Sequence, residues 1–118
     1  PKRASWPEGS IRFSGNLPGT EIKADRQSIG AQTINHPFTN HRIGLQKGDM
    51  ILVFSDGFAD QKGGKDKKKF YYAPFRKLLC EIYDLPLPDQ RKRMKETIIN
   101  WMGDMEQYDD MLVFGVKI

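Results

Sequence analysis

The chain has 118 residues, 38% of them apolar, and its 19 basic and 15 acidic residues leave a formal net charge of +4. This composition supports one modest domain with one hydrophobic core and argues against extensive disorder, and no apolar run approaches the roughly 20 residues of a membrane helix. The single cysteine excludes an intramolecular disulfide and a multi-cysteine zinc site.

These properties set our expectations for environment and partners. We expect a cytoplasmic protein in a reducing compartment, with no membrane contact from this segment. The positive charge is concentrated in two groups, Lys62, Lys65, Lys67, Lys68 and Lys69, then Arg91, Lys92, Arg93 and Lys95. A nucleic-acid surface is the alternative to ordinary surface charge. Since the two groups carry little aromatic interleaving and no recognised binding motif, we predict no specific nucleic-acid partner.

The first half of the chain indicates short strands. Residues 11–13 and 21–24 are candidate strands separated by a loop rich in turn-forming residues. Residues 38–45 alternate imperfectly between apolar and polar, and residues 46–49 supply a turn in which Gly48 suits a positive φ. We therefore predict a β-hairpin that joins residues 38–45 to a strand at residues 49–55.

The second half indicates two consecutive helices after a flexible crossover at residues 63–68. The first helix has apolar residues at offsets 0, 3, 4, 7 and 8, which is the spacing of an amphipathic stripe: Phe75, Leu78, Leu79, Ile82 and Tyr83. The second helix begins near Pro88, ends near Gly103 and has a predicted buried face of Met94, Ile98, Trp101, Met102 and Met105. The order of strands, two helices and a final strand predicts an α+β fold, in which a helical pair packs on one face of a mostly antiparallel sheet.

Two acidic sites flank the most apolar strands. Asp56 and Gly57 follow the apolar run at residues 50–54, and Asp109 and Asp110 precede the run at residues 111–116. Such runs are typical of strands covered on both faces. If the two strands are antiparallel neighbours about 4.8 Å apart, Asp56 and Asp109 meet at one sheet edge and can share a hard cation. The alternatives are an ordinary Asp-Gly turn and an exposed acidic turn.

The remaining candidates are weaker. Side chains of adjacent strand residues point to opposite faces, so only one of Asp109 and Asp110 can face the site. Asp60, one helical turn beyond Asp56, could support the site from outside, although a surface role is the alternative. Ligands that are all oxygen favour Mg²⁺ or Mn²⁺ over zinc. We interpret His36 and His41 as loop or surface residues and Cys80 as a packing residue, and we assign no catalytic acid, base or nucleophile.

The order of these motifs resembles a known family. Gly48-Asp49, an apolar strand, Ser55-Asp56-Gly57, two helices and Asp109-Asp110-Met111 before a last strand resemble the metal-dependent protein phosphatases (PPM, type 2C). The bacterial branch of stage II sporulation E-like serine phosphatases is the more similar one, because residues 21–30 also resemble a segment of that branch. The resemblance extends from about residue 11 to the end of the chain.

The resemblance implies an α-β-β-α sandwich and a binuclear Mn²⁺ or Mg²⁺ centre that hydrolyses phosphoserine or phosphothreonine in a protein substrate during signalling. By motif, Asp56 and Asp109 would be metal ligands, with Asp110, Gly57 and Asp60 as further candidates at the site. The other acidic ligands of the family come from an N-terminal Asp-Gly motif that has no match here.

We therefore interpret residues 1–118 as one partial domain, the C-terminal portion, which is inactive alone and could self-associate through an exposed sheet edge. The alternative is a noncatalytic, pseudophosphatase-like module that binds a phosphorylated or regulatory protein.

Overall fold

The computed structural model describes residues 11–12, 19–25 and 37–118, and the chain divides into two units, Pro1–Leu45 and Gln46–Ile118. In the first unit, strand β1 (Ile11–Arg12) pairs antiparallel with strand β2 (Thr20–Glu21). Strand β1 lies within the predicted residues 11–13, of which residue 13 lies outside the described residues. Strand β2 begins one residue earlier than predicted and includes only Glu21 of the predicted residues 21–24.

The second unit contains the remaining helices and strands of the described residues. They are β3 (Met50–Phe54), α1 (Gly57–Asp60), β4 (Lys62–Gly63), β5 (Lys68–Lys69), α2 (Tyr72–Ile82), α3 (Leu87–Met102) and β6 (Val113–Lys117). All the strand pairs are antiparallel, β3 with β6 and β4 with β5. The predicted α+β class is therefore confirmed. None of the helices in the described ranges is long and apolar enough to cross a membrane.

Among the described residues, the sheet of β3 and β6 is covered on one face only. Leu52, Phe54 and Val113 pack against the core, whereas Val53 and Phe114, which are register partners, are 58% and 60% exposed. The prediction that both strands are covered on both faces is therefore wrong. Alternate residues of a strand point to opposite faces, and the helices of this unit pack on only one of them.

The core forms where the two long helices meet the covered face of this sheet. Phe75 is completely buried, and its ring stacks on Phe58 with centroids 4.7 Å apart and meets Phe54 edge-on at 5.0 Å. Four of the five residues of the predicted α2 stripe are buried, and the fifth, Tyr83, is 36% exposed. Ile98 supplies the buried contact from α3. The periodicity therefore predicted the core-facing side of α2 almost completely.

Helix α3 begins and ends close to the predicted residues. Pro88 lies in its first turn, where a missing N–H costs nothing, and Gly103 terminates it with φ 53° and an N–H bonded to the carbonyl of Ile99. The turn from α2 is held by Gln90, which is 2% exposed and donates to the carbonyls of Tyr83 and Leu85, each at 2.9 Å. Met105, predicted on the buried face of this helix, lies beyond its end.

Two predictions of local structure are wrong. Residues 38–45 contain no strand, so the hairpin with β3 does not form. The turn at residues 46–49 is instead closed locally, since the N–H of Asp49 donates to the carbonyl of Gln46 at 3.0 Å and the carboxylate of Asp49 accepts the N–H of Gln46 at 2.8 Å. Gly48 (φ 95°) donates to the carbonyl of Ile118, which joins this turn to the residue after β6. Strand β3 pairs with β6 instead of with residues 38–45.

The crossover at residues 63–68 is a short β-hairpin rather than a flexible loop. Strands β4 and β5 pair through it, and the N–H of Gly64 donates to the carbonyl of Trp101 at 2.9 Å. A Cβ at Gly63 would lie 2.7 Å from the indole of Trp101, and the indole N–H donates to the carbonyl of Gln61. The two glycines thus let the hairpin approach the end of α3 closely, which no local pattern indicated.

Candidate metal centre

The two predicted acidic segments lie at the same edge of the β3–β6 sheet. The regular ladder ends where Phe54 faces Val113, and one more backbone bond follows, from the N–H of Ser55 to the carbonyl of Leu112 at 2.9 Å. Asp56 leaves this edge directly after Ser55, and Asp109–Asp110 enter it shortly before Leu112. The antiparallel arrangement that the site hypothesis requires is therefore present.

The segments touch through Ser55 and Gly57. The hydroxyl of Ser55 donates to the carbonyl of Asp110 at 3.0 Å and accepts the N–H of Leu112 at 3.0 Å. Gly57 is buried, and a Cβ built on it would lie 2.8 Å from the carbonyl carbon of Asp110 and closer still to its oxygen. Only a residue without a side chain permits this approach, so the Asp-Gly pair is more than a solvent-exposed turn.

The two carboxylates differ in their local bonding. Asp56 precedes α1 in an α-helical conformation (φ −76°, ψ −8°), is exposed, and makes no side-chain hydrogen bond to the helix that it precedes. The carboxylate of Asp109 accepts the N–H of Asp110 at 2.8 Å, and the side chain of Gln107 donates to the Asp109 carbonyl at 3.0 Å. An open depression of about 400 Å³ is lined by Gln107, Tyr108, Asp109 and Asp110.

The other sequence candidates lie in different surroundings. Asp60 forms an ion pair with Lys69 at 3.4 Å, and both side chains are more than a third exposed. This geometry agrees with a surface role, and a supporting role for Asp60 at the site stays a prediction. His41 is exposed in the first unit, and His36 lies outside the described residues. Cys80 is half-buried in α2, where burial and then the neighbouring charge of Glu81 raise the pKa of its thiol.

Sequence reasoning gave no role to Ser55. Its position in the sequence could have indicated a role, since Ser55 lies between the last residue of β3 and the Asp-Gly pair. A hydroxyl there can both donate and accept, which suits a position just beyond the last register pair of the ladder.

The chemistry of the donors fits a hard divalent cation. Carboxylate oxygens at a sheet edge, without thiolate or imidazole, are the ligands of Mg²⁺ and Mn²⁺. Across residues 11–12, 19–25 and 37–118, no group of three or more His, Cys, Asp or Glu side chains is close enough to hold a metal ion. The described acidic residues at this edge do not by themselves form a complete ligand set.

Comparison with known proteins decides the family. The model of the family described as Stage II sporulation protein E (SpoIIE) matches residues 19–118. The chain belongs to this family. This family is one of PPM-type phosphatases, as the order of the motifs indicated.

A solved structure extends the comparison to the fold. The SiaA-PP2C domain of Pseudomonas aeruginosa matches with a TM-score of 0.74 and 26% sequence identity, over 85% of this chain and 38% of that chain. No curated protein matches. The predicted PP2C-like fold is therefore confirmed, and the chain spans well under half the length of the solved structure that it matches.

Proposed function

We propose that this chain supplies two metal-binding carboxylates, Asp56 and Asp109, to a phosphatase domain that hydrolyses phosphoserine or phosphothreonine in a protein substrate. The observation that carries the proposal is the convergence of the two acidic segments at one edge of the β3–β6 sheet, in a chain of the SpoIIE family. We further propose that this phosphatase acts in bacterial signalling and in the cytoplasm; the match to the SpoIIE family supports the signalling role.

In this proposal, the chain's own part in the reaction is to hold and orient the metal ions. The backbone of Asp56 lies between the end of β3 and the start of α1, and the carboxylate of Asp109 accepts the N–H of the following residue. A binuclear Mn²⁺ or Mg²⁺ centre in the complete domain would lower the pKa of bound water and neutralise the phosphate charge. Two aspartates are too few for two divalent ions, so we propose that a longer polypeptide provides the other acidic ligands, and that residues 1–118 alone turn over negligibly.

The experiment measures Mn²⁺-dependent hydrolysis of a phosphoserine peptide by a longer protein that contains this chain and the rest of the domain. We expect Asp56→Asn and Asp109→Asn each to lower kcat/KM by about 100-fold or more, because loss of a ligand should cost at least as much as loss of a group that supports one. Asp84→Asn, at an exposed carboxylate after α2, is the matched control. Undiminished turnover in both site variants would refute the proposal.

The alternative proposal is a noncatalytic module that binds a phosphorylated regulatory protein. It is supported by the lack, in the described ranges, of any group of three potential metal-binding side chains. The same longer protein separates the two proposals. Saturable binding of a phosphoprotein without Mn²⁺-dependent turnover favours the module, and turnover that requires Asp56 favours the enzyme.

A further inference from the structure

We propose that Ser55 is a positioning residue of this centre, which locks the segment containing Asp109 and Asp110 against the strand end that carries Asp56. The inference rests on the proposed function, since it concerns the same carboxylates. It adds a residue whose side chain reaches neither metal nor substrate in the proposal but sets the distance between two groups that do.

The geometry of Ser55 carries the inference. Three hydrogen bonds join this residue to the opposite segment: its N–H to the carbonyl of Leu112 at 2.9 Å, its hydroxyl to the carbonyl of Asp110 at 3.0 Å, and the N–H of Leu112 to its hydroxyl oxygen at 3.0 Å. Two of the three depend on the side chain. The hydroxyl therefore continues the cross-strand contact where the regular β3–β6 ladder has ended.

The bonded groups are covalently next to the proposed ligands. Ser55 precedes Asp56 directly, and the carbonyl that its hydroxyl binds belongs to the residue after Asp109. The close approach of Gly57 to the same Asp110 carbonyl fixes this segment from the other side of Asp56. Because Ser55 and Gly57 flank Asp56 and both contact the Asp110 peptide, a shift of that peptide changes the separation of the two carboxylates.

A simple strand-end cap is the competing explanation, and it makes a different prediction. A cap contributes only to the stability of the fold, so its loss leaves the metal affinity of folded molecules unchanged. A positioning residue alters that affinity in molecules that remain folded. Groups that support metal ligands typically change affinity by 10-fold to 100-fold when removed.

The test titrates the folded 118-residue chain with Mg²⁺ alone and follows its amides by NMR. We expect Ser55→Ala to weaken Mg²⁺ binding by about 10-fold and to shift the amide resonances of residues 109–111 even without metal. Ser55→Thr keeps the hydroxyl, so it should restore the affinity to within about threefold and the resonances to their original positions. Thr97→Ala, which removes a hydroxyl bonded to a helix carbonyl in α3, is the matched control and should change neither.

The outcomes separate the inference from the proposed function. If the unaltered chain binds no Mg²⁺ and Asp56→Asn changes nothing, the metal-binding proposal fails and the metal-positioning role of Ser55 fails with it; if the chain binds Mg²⁺ but Ser55→Ala binds it equally well, only the role of Ser55 fails. Unchanged resonances of residues 109–111 in Ser55→Ala would also overturn the inference. If Ser55→Ala does not fold, the Mg²⁺ affinity of Ser55→Cys, whose thiol is only a weak donor, decides: an affinity equal to that of the unaltered chain would overturn the inference, and a lower one would support it.

Discussion

Substitution of Gly57 by Ala should both destabilise the fold and disturb the acidic edge. A Cβ at this residue would lie 2.8 Å from the carbonyl carbon of Asp110, about 0.6 Å inside the 3.4 Å at which ordinary contacts begin. The obstacle is backbone, so no side-chain rotation can relieve the clash. Either the start of α1 or the segment at residues 110–111 must move.

The size of the effect follows from what such a movement breaks. Overpacking of this kind typically costs about 1–3 kcal/mol. Displacement of the Asp110 peptide also strains the Ser55 hydroxyl bond to its carbonyl, and a single such bond contributes roughly 0.5–1.5 kcal/mol. We therefore expect a loss of about 2–4 kcal/mol, which for a chain of this length lowers Tm by about 4 °C for each kcal/mol.

Urea unfolding followed by circular dichroism measures this loss directly. The control is Gly44→Ala, because a Cβ at Gly44 meets nothing within 4 Å, and we expect its unfolding free energy to change by less than about 0.5 kcal/mol. Equal stability of the two variants would refute the close approach of Gly57 to Asp110. If Gly57→Ala is destabilised but its Mg²⁺ affinity per folded molecule is unchanged, the contact matters for folding alone.

Three further predictions address the rest of the second unit. Gln90→Ala should lower the free energy of unfolding by about 1–3 kcal/mol, because it leaves two carbonyls of the α2–α3 turn without their buried donor. Urea unfolding measures this loss, and a loss below about 0.5 kcal/mol would contradict the prediction. Burial and Glu81 raise the pKa of Cys80, so little of its thiol is ionised at about pH 7.5. Alkylation of Cys80 should therefore be slower in the folded chain than in the urea-unfolded chain, and it should accelerate as the pH rises toward that pKa. Equal alkylation rates in the folded and unfolded chain would contradict this. The isolated chain should self-associate in sedimentation velocity, through the exposed face or edge of the β3–β6 sheet, and Val53→Thr with Phe114→Lys should reduce this association; an unaltered chain that stays monomeric at high concentration would exclude it.

Local patterns predicted those parts of the fold that local forces determine. The buried face of helix α2 was predictable because its apolar residues recur at helical spacing and so lie on one side of the helix. The end of α3 at Gly103 was predictable because a residue with positive φ ends a helix at low cost only when it has no side chain. The failure at residues 38–45 has the opposite cause. Weak alternation is compatible with a strand, but a strand also needs a partner, and β3 pairs with a segment some sixty residues away.

The hairpin of β4 and β5 shows the same limit. Its glycines and lysines are typical of a loop, and only the contact of Gly63 and Gly64 with Trp101 gives the segment an ordered place. Trp101 lies about forty residues further along the chain, so no window of neighbouring residues contains the interaction that fixes the hairpin.

For the candidate centre, the sequence by itself determined which side chains were present and in what order: carboxylates after one apolar strand and before another, with a glycine beside the first. Only the tertiary structure decided that the two strands are antiparallel neighbours, that Gly57 lies against Asp110, and that the Ser55 hydroxyl spans the gap between the strand ends. The physical reason is that the chemical groups of a side chain are set by the residue at that position, whatever its neighbours are. Contact between residues more than fifty positions apart depends instead on packing across the whole unit, which covers one face of β3 and β6 and aligns their ends.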